Sequence, residues 1–339
     1  MSDLELLTSE YRFQLHSLDG CIDSRFGWVA SSAPGDPRVI LTRQSRSAPF
    51  EVCQWQGDYE SVVSLTIGCS SQGQNHWPGI VAICQRHDSS AAATISVLDP
   101  TVSRPQILPT PTGAAESYGS SIAQGPNRWL VCEPTGITDI SFSGKVWVLN
   151  ATDGSVQEIL VPDCAGPFDM FGNDISAHAK YVAIGAPLQD QPLLDCGAVH
   201  IYRWSDDVLE PMEMLISGFP EANGWFGSTV QFLDDDLLLV GAPGAGGSGL
   251  VEVFQLDEGR WKFKNRYFPP RSTFSRFGFA IASIGSDLFI GEKSPVPSWV
   301  HFRREKNCDD TNPFAPIDLK GLPISQDRNG DSGIGRAGS

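Results

Sequence analysis

Short apolar runs bounded by Gly, Pro, Asp and Asn follow one another along the chain. None keeps the i, i+3, i+4 spacing of a long helix. Residues 228–264 show the pattern most plainly. Ser228-Thr229-Val230-Gln231-Phe232 is one run, Asp234-Asp235-Asp236 breaks it, and Leu237-Leu238-Leu239-Val240 is a second. After a Gly-rich turn, Leu250 to Leu256 alternates with period two. Asp257-Glu258-Gly259 turns the chain, and Trp261-Lys262-Phe263-Lys264 opens a fourth run. Four short strands joined by tight turns are predicted. Residues 2–10 are the one stretch that fits a single helical turn.

The unit recurs. Aromatic-Gly pairs stand at Phe26-Gly27, Tyr118-Gly119, Phe171-Gly172, Phe226-Gly227 and Phe277-Gly278, and Ile67-Gly68 is a degenerate sixth start. The period is about fifty residues. Four strands per unit at that period predict an all-β chain folded as a β-propeller of four-stranded blades. A single blade has two apolar faces and covers them only by stacking on its neighbours in a ring. The tail, through Gly333-Ile334-Gly335, echoes Phe277-Gly278 one period later. Seven blades are therefore expected: repeats starting near 26, 67, 118, 171, 226 and 277, plus a composite closing blade from residues 1–25 and 321–339. A six-bladed ring is the alternative. Either count makes residues 1–339 a single propeller domain.

Phe171-Gly172 followed by Tyr181-Val182-Ala183-Ile184-Gly185-Ala186-Pro187 resembles an FG-GAP repeat. So does Phe226-Gly227 followed by Leu237-Leu238-Leu239-Val240-Gly241-Ala242-Pro243. Such repeats are the blades of the integrin α-subunit head, and the resemblance covers residues 110–305. It implies a non-enzymatic recognition or scaffold propeller that binds another macromolecule, a protein partner first, through loops at one face. The loops between second and third strands are the candidates. Residues 135–140 supply Ile137, Asp139 and Ile140, and residues 189–194 supply Gln189, Asp190, Leu193 and Leu194. Both place apolar side chains in otherwise polar turns, a mark of interfaces. The links between first and second strands (177–180, 234–236 and 285–287) are too short to wrap calcium in about six to eight oxygens, so the repeats resemble the calcium-free variety. In the tail, Asp327, Asn329 and Asp331 form a partial calcium motif, but Gly335 stands where the closing carboxylate would be. No other cofactor is expected.

Charge narrows the partners. With 24 Lys and Arg against 40 Asp and Glu, the net charge of −16 repels polyanions and anionic lipid, so no nucleic acid is expected as a partner. The run Leu237–Val240 is far too short to span a bilayer, so no membrane insertion is expected. Residues 1–7 lack the features of a signal peptide; an intracellular location is expected, or an extracellular one for a processed chain. The eight cysteines have no CxxC spacing. Cys84 and Cys132 end apolar runs as buried thiols, and Cys164 and Cys196 are a pair that could meet in space. His200 and His301 read as occupants of one shared third-strand slot. Gly244 to Gly249 matches GxGxxG, yet a strand rather than a helix follows, which makes it a hairpin loop. Two alternatives to a protein-binding propeller stay open. A lectin would use Trp77, Trp129 and Trp225 as platforms. A glycoside hydrolase would draw on Asp206-Asp207, Asp234-Asp235-Asp236 or Asp309-Asp310.

Overall fold

In a computed structural model of the chain, residues 106–178, 180–269 and 275–284 are described without interruption. Around them residues 3–8, 11–16, 28–30, 38–42, 51–55, 62–68, 80–85, 92–98, 287–292, 298–304 and 314–316 are also described. Among the described residues the regular structure is strand, apart from a single 3-10 turn at Ala245–Gly247.

The strands form six antiparallel sheets. The first holds β1 (Asp3–Thr8), β2 (Tyr11–His16), β3 (Trp28–Ala30), β4 (Arg38–Thr42) and β5 (Glu51–Trp55) in the order β2-β1-β3-β4-β5. Each of the others has four strands in sequence order. They are β6 (Val62–Gly68), β7 (Ile80–Gln85), β8 (Thr94–Leu98) and β9 (Gln106–Leu108); then β10 (Ile122–Gly125), β11 (Arg128–Glu133), β12 (Lys145–Asn150) and β13 (Val156–Leu160). The fourth sheet is β14 (Ile175–His178), β15 (Tyr181–Ala186), β16 (Ala198–Ser205) and β17 (Val208–Leu215), and the fifth is β18 (Thr229–Asp234), β19 (Leu237–Ala242), β20 (Leu250–Asp257) and β21 (Arg260–Tyr267). The last is β22 (Phe277–Ile284), β23 (Asp287–Glu292), β24 (Ser298–Arg304) and β25 (Phe314–Pro316).

From the second sheet on, each first strand touches the next, β6 to β10 to β14 to β18 to β22. The core lies between consecutive sheets. Val182, Ile184 and Tyr202 of the fourth sheet pack with Leu130, Val146 and Val148 of the third. On the other side, Ala183, Val199 and Ile201 pack with Phe232, Leu238 and Val240 of the fifth. A strand alternates its side chains, so the second and third strands serve both faces and read as unbroken apolar runs. The architecture is β-propeller-like.

Adjacent sheets are joined at the same place at three junctions among the described residues. The N–H of Phe171 donates to the carbonyl of Ser143 at 2.9 Å, that of Phe226 to Cys196 at 2.9 Å, and that of Phe277 to Ser248 at 2.8 Å. Each bond runs from the start of one repeat to the residue before a glycine (Gly144, Gly197, Gly249) that leads the third strand of the repeat before. Within a repeat, Gly172 N–H donates to the Gly185 carbonyl at 2.9 Å and Gly227 N–H to Gly241 at 3.1 Å. Gly172 and Gly227 hold φ of +87° and +89°, which only glycine adopts freely. A Cβ on Gly185 would fall on the carbonyl oxygen of Gly227, one on Gly241 on that of Gly278, and one on Gly197 on that of Phe226. The two halves of the repeat motif are thus the two sides of one seam.

Two sequence expectations change, and the composite closing blade lies partly outside the described residues. Residues 2–10 hold a strand rather than a helical turn, because Tyr11–His16 offers β1 a full antiparallel ladder from Asp3 opposite His16 to Thr8 opposite Tyr11. A lone helical turn has no such compensation for its nucleation cost. Ile67 and Gly68 close β6, whereas Phe171 and Gly172 precede β14, so this degenerate pair is out of step with the other starts. Finally, β1 joins the first sheet through Leu6 opposite Ala30. Residues 321–339, the other part of the composite blade, lie outside the described residues.

The seam makes a stability prediction. Gly197→Ala adds a methyl group against the Phe226 carbonyl at φ of +82°, whereas Gly246→Ala, at φ of +58°, meets nothing within 4 Å. Gly246→Ala should cost only the left-handed backbone penalty of about 1 kcal/mol. Gly197→Ala should cost about 3 kcal/mol or more, because backbone must move to admit the methyl group. Chemical unfolding of the two variants checks this; equal losses would contradict the seam.

Candidate functional site

In an up-and-down sheet the links between second and third strands emerge at the same end as the connections from the fourth strand to the next sheet. The seam bonds tie these segments together. Asn223 N–H donates to the Leu194 carbonyl at 2.8 Å, Trp225 N–H to Asp195 at 3.1 Å, Phe168 N–H to Ser141 at 3.2 Å and Leu188 N–H to Asp169 at 3.3 Å. Loops 134–144 and 187–197 therefore share one face with connections 161–174 and 216–228, on a backbone framework fixed by hydrogen bonds.

Most of the sequence-predicted residues lie open on that face. Ile137 is 62% exposed, Leu194 61% and Leu193 42%. Asp139 is exposed, and Asp190 is exposed with its carboxylate accepting the Asp195 N–H at 2.9 Å. Ile140 is half-buried, and its carbonyl accepts the Thr138 hydroxyl at 3.1 Å. Gln189 is withdrawn from the face, at 2% exposure. Its Oε1 pairs with His200 Nε2 at 2.9 Å, and its amide nitrogen points at the sulfurs of Cys164 and Met214. It braces the loop from below because a buried imidazole needs a partner.

Sequence reasoning missed Phe142 and Phe168. Their rings stack at 5.5 Å with 17° between planes, and they are 41% and 58% exposed. Both have left-handed backbone, φ of 53° and 67°, which costs a phenylalanine about 1–2 kcal/mol. Aligning the repeats would have found Phe142: it stands two residues before Gly144, where the next two repeats place Asp195 and Gly247. Nearby, burial raises the Asp169 carboxyl above its usual range, against the Gly166 N–H bond that lowers it and with a smaller push from Asp190.

The buried polar groups serve the frame. In register, Trp147 opposite Val131, His200 opposite Ile184, Glu252 opposite Val240 and Val300 opposite Ile290 occupy one third-strand slot. His301 stands opposite Phe289, one position out of step with His200, so the expected shared histidine slot is not there. Trp147 Nε1 donates to Glu133 at 2.7 Å, and Lys145 sits 3.4 Å from the same carboxylate. Glu252 accepts Ser217 Oγ and Gly218 N–H, both at 2.9 Å, and faces Arg266 at 3.3 Å. Half-buried Asp174, just before β14, accepts Ser121 Oγ and Val230 N–H, each at 2.9 Å, and so ties three first-strand segments together. Burial pushes its carboxyl up to about 6 and the His200 imidazole down to about 4.

The other candidate chemistries find less. Cys132, Cys164 and Cys196 are free thiols, and Cys164 and Cys196 each lie against Gln189 rather than in a disulfide. Trp129 is buried at 1% and offers no platform; Trp225 lies beneath Arg276 at 5.2 Å; Trp77 is outside the described residues. Gly244–Gly249 forms a short 3-10 turn leading into β20, as a hairpin loop should. No group of three or more His, Cys, Asp or Glu among the described residues is placed to hold a metal ion. Asp327, Asn329 and Asp331 lie outside them.

No family model matches the sequence, and no curated protein matches it significantly. Solved structures do resemble it in fold. A protein of unknown function from Desulfotomaculum acetoxidans has a TM-score of 0.56 and 13% identity, over 93% of this chain and 99% of that one. A candidate 6-phosphogluconolactonase from Bacteroides uniformis has a TM-score of 0.53 and 14% identity, over 84% and 78%. The β-propeller domain of the trilobed protease of Pyrococcus furiosus has a TM-score of 0.43 and 12% identity, over 86% and 80%. At such identities the two structures with TM-scores above 0.5 speak of fold alone.

Two buried groups give opposite pH responses. His200 ionises in the folded state only near pH 4, against an ordinary 6.5. Its neutral form contributes about 3 kcal/mol, fully present above pH 6.5 and lost as pH falls towards 4. Asp174 binds its proton more tightly folded than unfolded, so it adds stability as pH falls from about 6 towards 3.8. Between pH 7 and 4.5, His200→Gln should lose less thermal midpoint than wild type and Asp174→Asn should lose more. The reverse order in calorimetry would contradict both assignments.

Proposed function

We propose that the chain is a non-enzymatic recognition propeller of calcium-free FG-GAP type that binds a protein partner through the face built from loops 134–144 and 187–197. The observation that carries this is the exposure of Ile137, Leu193 and Leu194 on a hydrogen-bonded frame, since apolar side chains fixed in solvent are the ordinary material of interfaces. The seams support FG-GAP repeats, because they need glycine where the motif has it. Six sheets, with β1 joined to the first, favour six blades over seven; a seventh would draw on residues 321–339. Loops 134–144 and 187–197 and connections 161–174 and 216–228 contain no Lys or Arg, and carry exposed Asp139, Asp163, Asp190 and Glu221.

The test is copurification from the native host with tagged wild type and with Leu193→Asp/Leu194→Asp. A partner recovered with wild type should fall about tenfold or more with the variant, whose thermal midpoint should be unchanged, as expected for exposed anchors. Equal recovery of the same partners would overturn the assignment of this face.

A further inference from the structure

Phe142 and Phe168 are where the face departs from its own repeat. The positions of Phe142 in the next two repeats are held by Asp195 and Gly247, and those of Phe168 by Asn223 and Phe274; Phe142, Phe168, Asp195, Asn223 and Gly247 have positive φ. Gly, Asn and Asp tolerate that backbone and phenylalanine does not. Burial does not compensate for it, since both rings remain substantially exposed. Neither of the next two junctions carries an aromatic residue at both positions (Asp195 with Asn223, Gly247 with Phe274), and exposed strain of this kind concentrates at binding sites.

The surroundings state the chemistry of the occupant. Asp139 and Asp163 stand exposed in the loop and the connection that carry the two rings, and Asp190 stands exposed in the adjoining loop with Leu193 and Leu194. Lys145, which leads β12 behind the first of these loops, is buried and pairs with Glu133. A surface with aromatic and aliphatic side chains among exposed carboxylates complements a segment carrying both positive charge and apolar side chains.

We propose that the Phe142–Phe168 seam, with the Asp190–Leu194 loop beside it, docks a polypeptide segment in which Lys or Arg alternates with apolar residues. This rests on the reading of the face as protein-binding. The probe is a fluorescent synthetic peptide of alternating Lys and Leu, with a Glu/Leu peptide as control, titrated by anisotropy against the full chain. Wild type should bind the Lys/Leu peptide, more weakly as salt rises, and should not bind the Glu/Leu peptide. Phe142→Gly/Phe168→Asn leaves the charge unchanged and supplies residues suited to the backbone. It should weaken binding about tenfold or more while the thermal midpoint holds or rises.

Unchanged binding in this variant would mean charge-only adsorption and would overturn the seam. A lowered thermal midpoint would make the rings structural and overturn it too. Failure of wild type to bind the Lys/Leu peptide, or equal binding of the Glu/Leu peptide, would overturn the basic occupant. Binding lost in Leu193→Asp/Leu194→Asp but kept in the Phe variant would overturn the seam and leave the protein-binding face standing. Binding untouched in both would sink the two together.

Discussion

Everything in this molecule depends on one close approach: a backbone carbonyl at the start of one repeat seated where a Cβ would be in the repeat before. Gly185 against Gly227, Gly241 against Gly278 and Gly197 against Phe226 repeat it from sheet to sheet. The seam bonds complete it, as the aromatic residue at each repeat start donates its N–H backwards. A sheet with two apolar faces has no stable existence alone. The seam lets the next sheet approach closely enough to cover one of them, and the interdigitated layers of Val, Leu, Ile and Phe between sheets follow from that spacing.

The same constraint separates frame from function. Polar groups that must be buried in the third-strand slot find partners close by: Trp147 with Glu133 at the end of the second strand, His200 with Gln189 in the loop before its own strand, and Glu252 with Ser217 of the preceding connection and Arg266 of the outer strand. These charges and rings hold the sheets in place. The loops at the seam end have their backbones fixed and their side chains free. A rigid backbone that presents Leu194 or Phe168 to water loses little conformational entropy when a partner covers them.

The all-β class, the four-strand unit and the seam glycines were legible because each has a local cause: period-two alternation, turn residues, and positions where only glycine fits. The exposed apolar loops at Ile137 and Leu193-Leu194 were legible because apolar residues interrupt polar turns. Gln189 was not, since a glutamine in a turn reads as solvent-facing until the buried His200 that needs it is placed beneath. The stacking of Phe142 on Phe168 was invisible for a similar reason: it joins two segments that only the seam brings together. Misalignment of His301 by one residue shows how sharply a period of two punishes a slip in register. For β1, the paired partner Tyr11–His16 decided between strand and helical turn, and no local pattern in residues 2–10 contains it.

The most direct test of the account is amide hydrogen exchange read residue by residue. The N–H groups of Phe171, Phe226 and Phe277, each at the end of a long connection, should exchange as slowly as those in the centres of β15 and β19, because they close the sheet-to-sheet seam. Exchange of these three amides at the rate of open loop would mean that the sheets are held by side-chain packing alone, and the seam as the organising contact of the fold would be wrong.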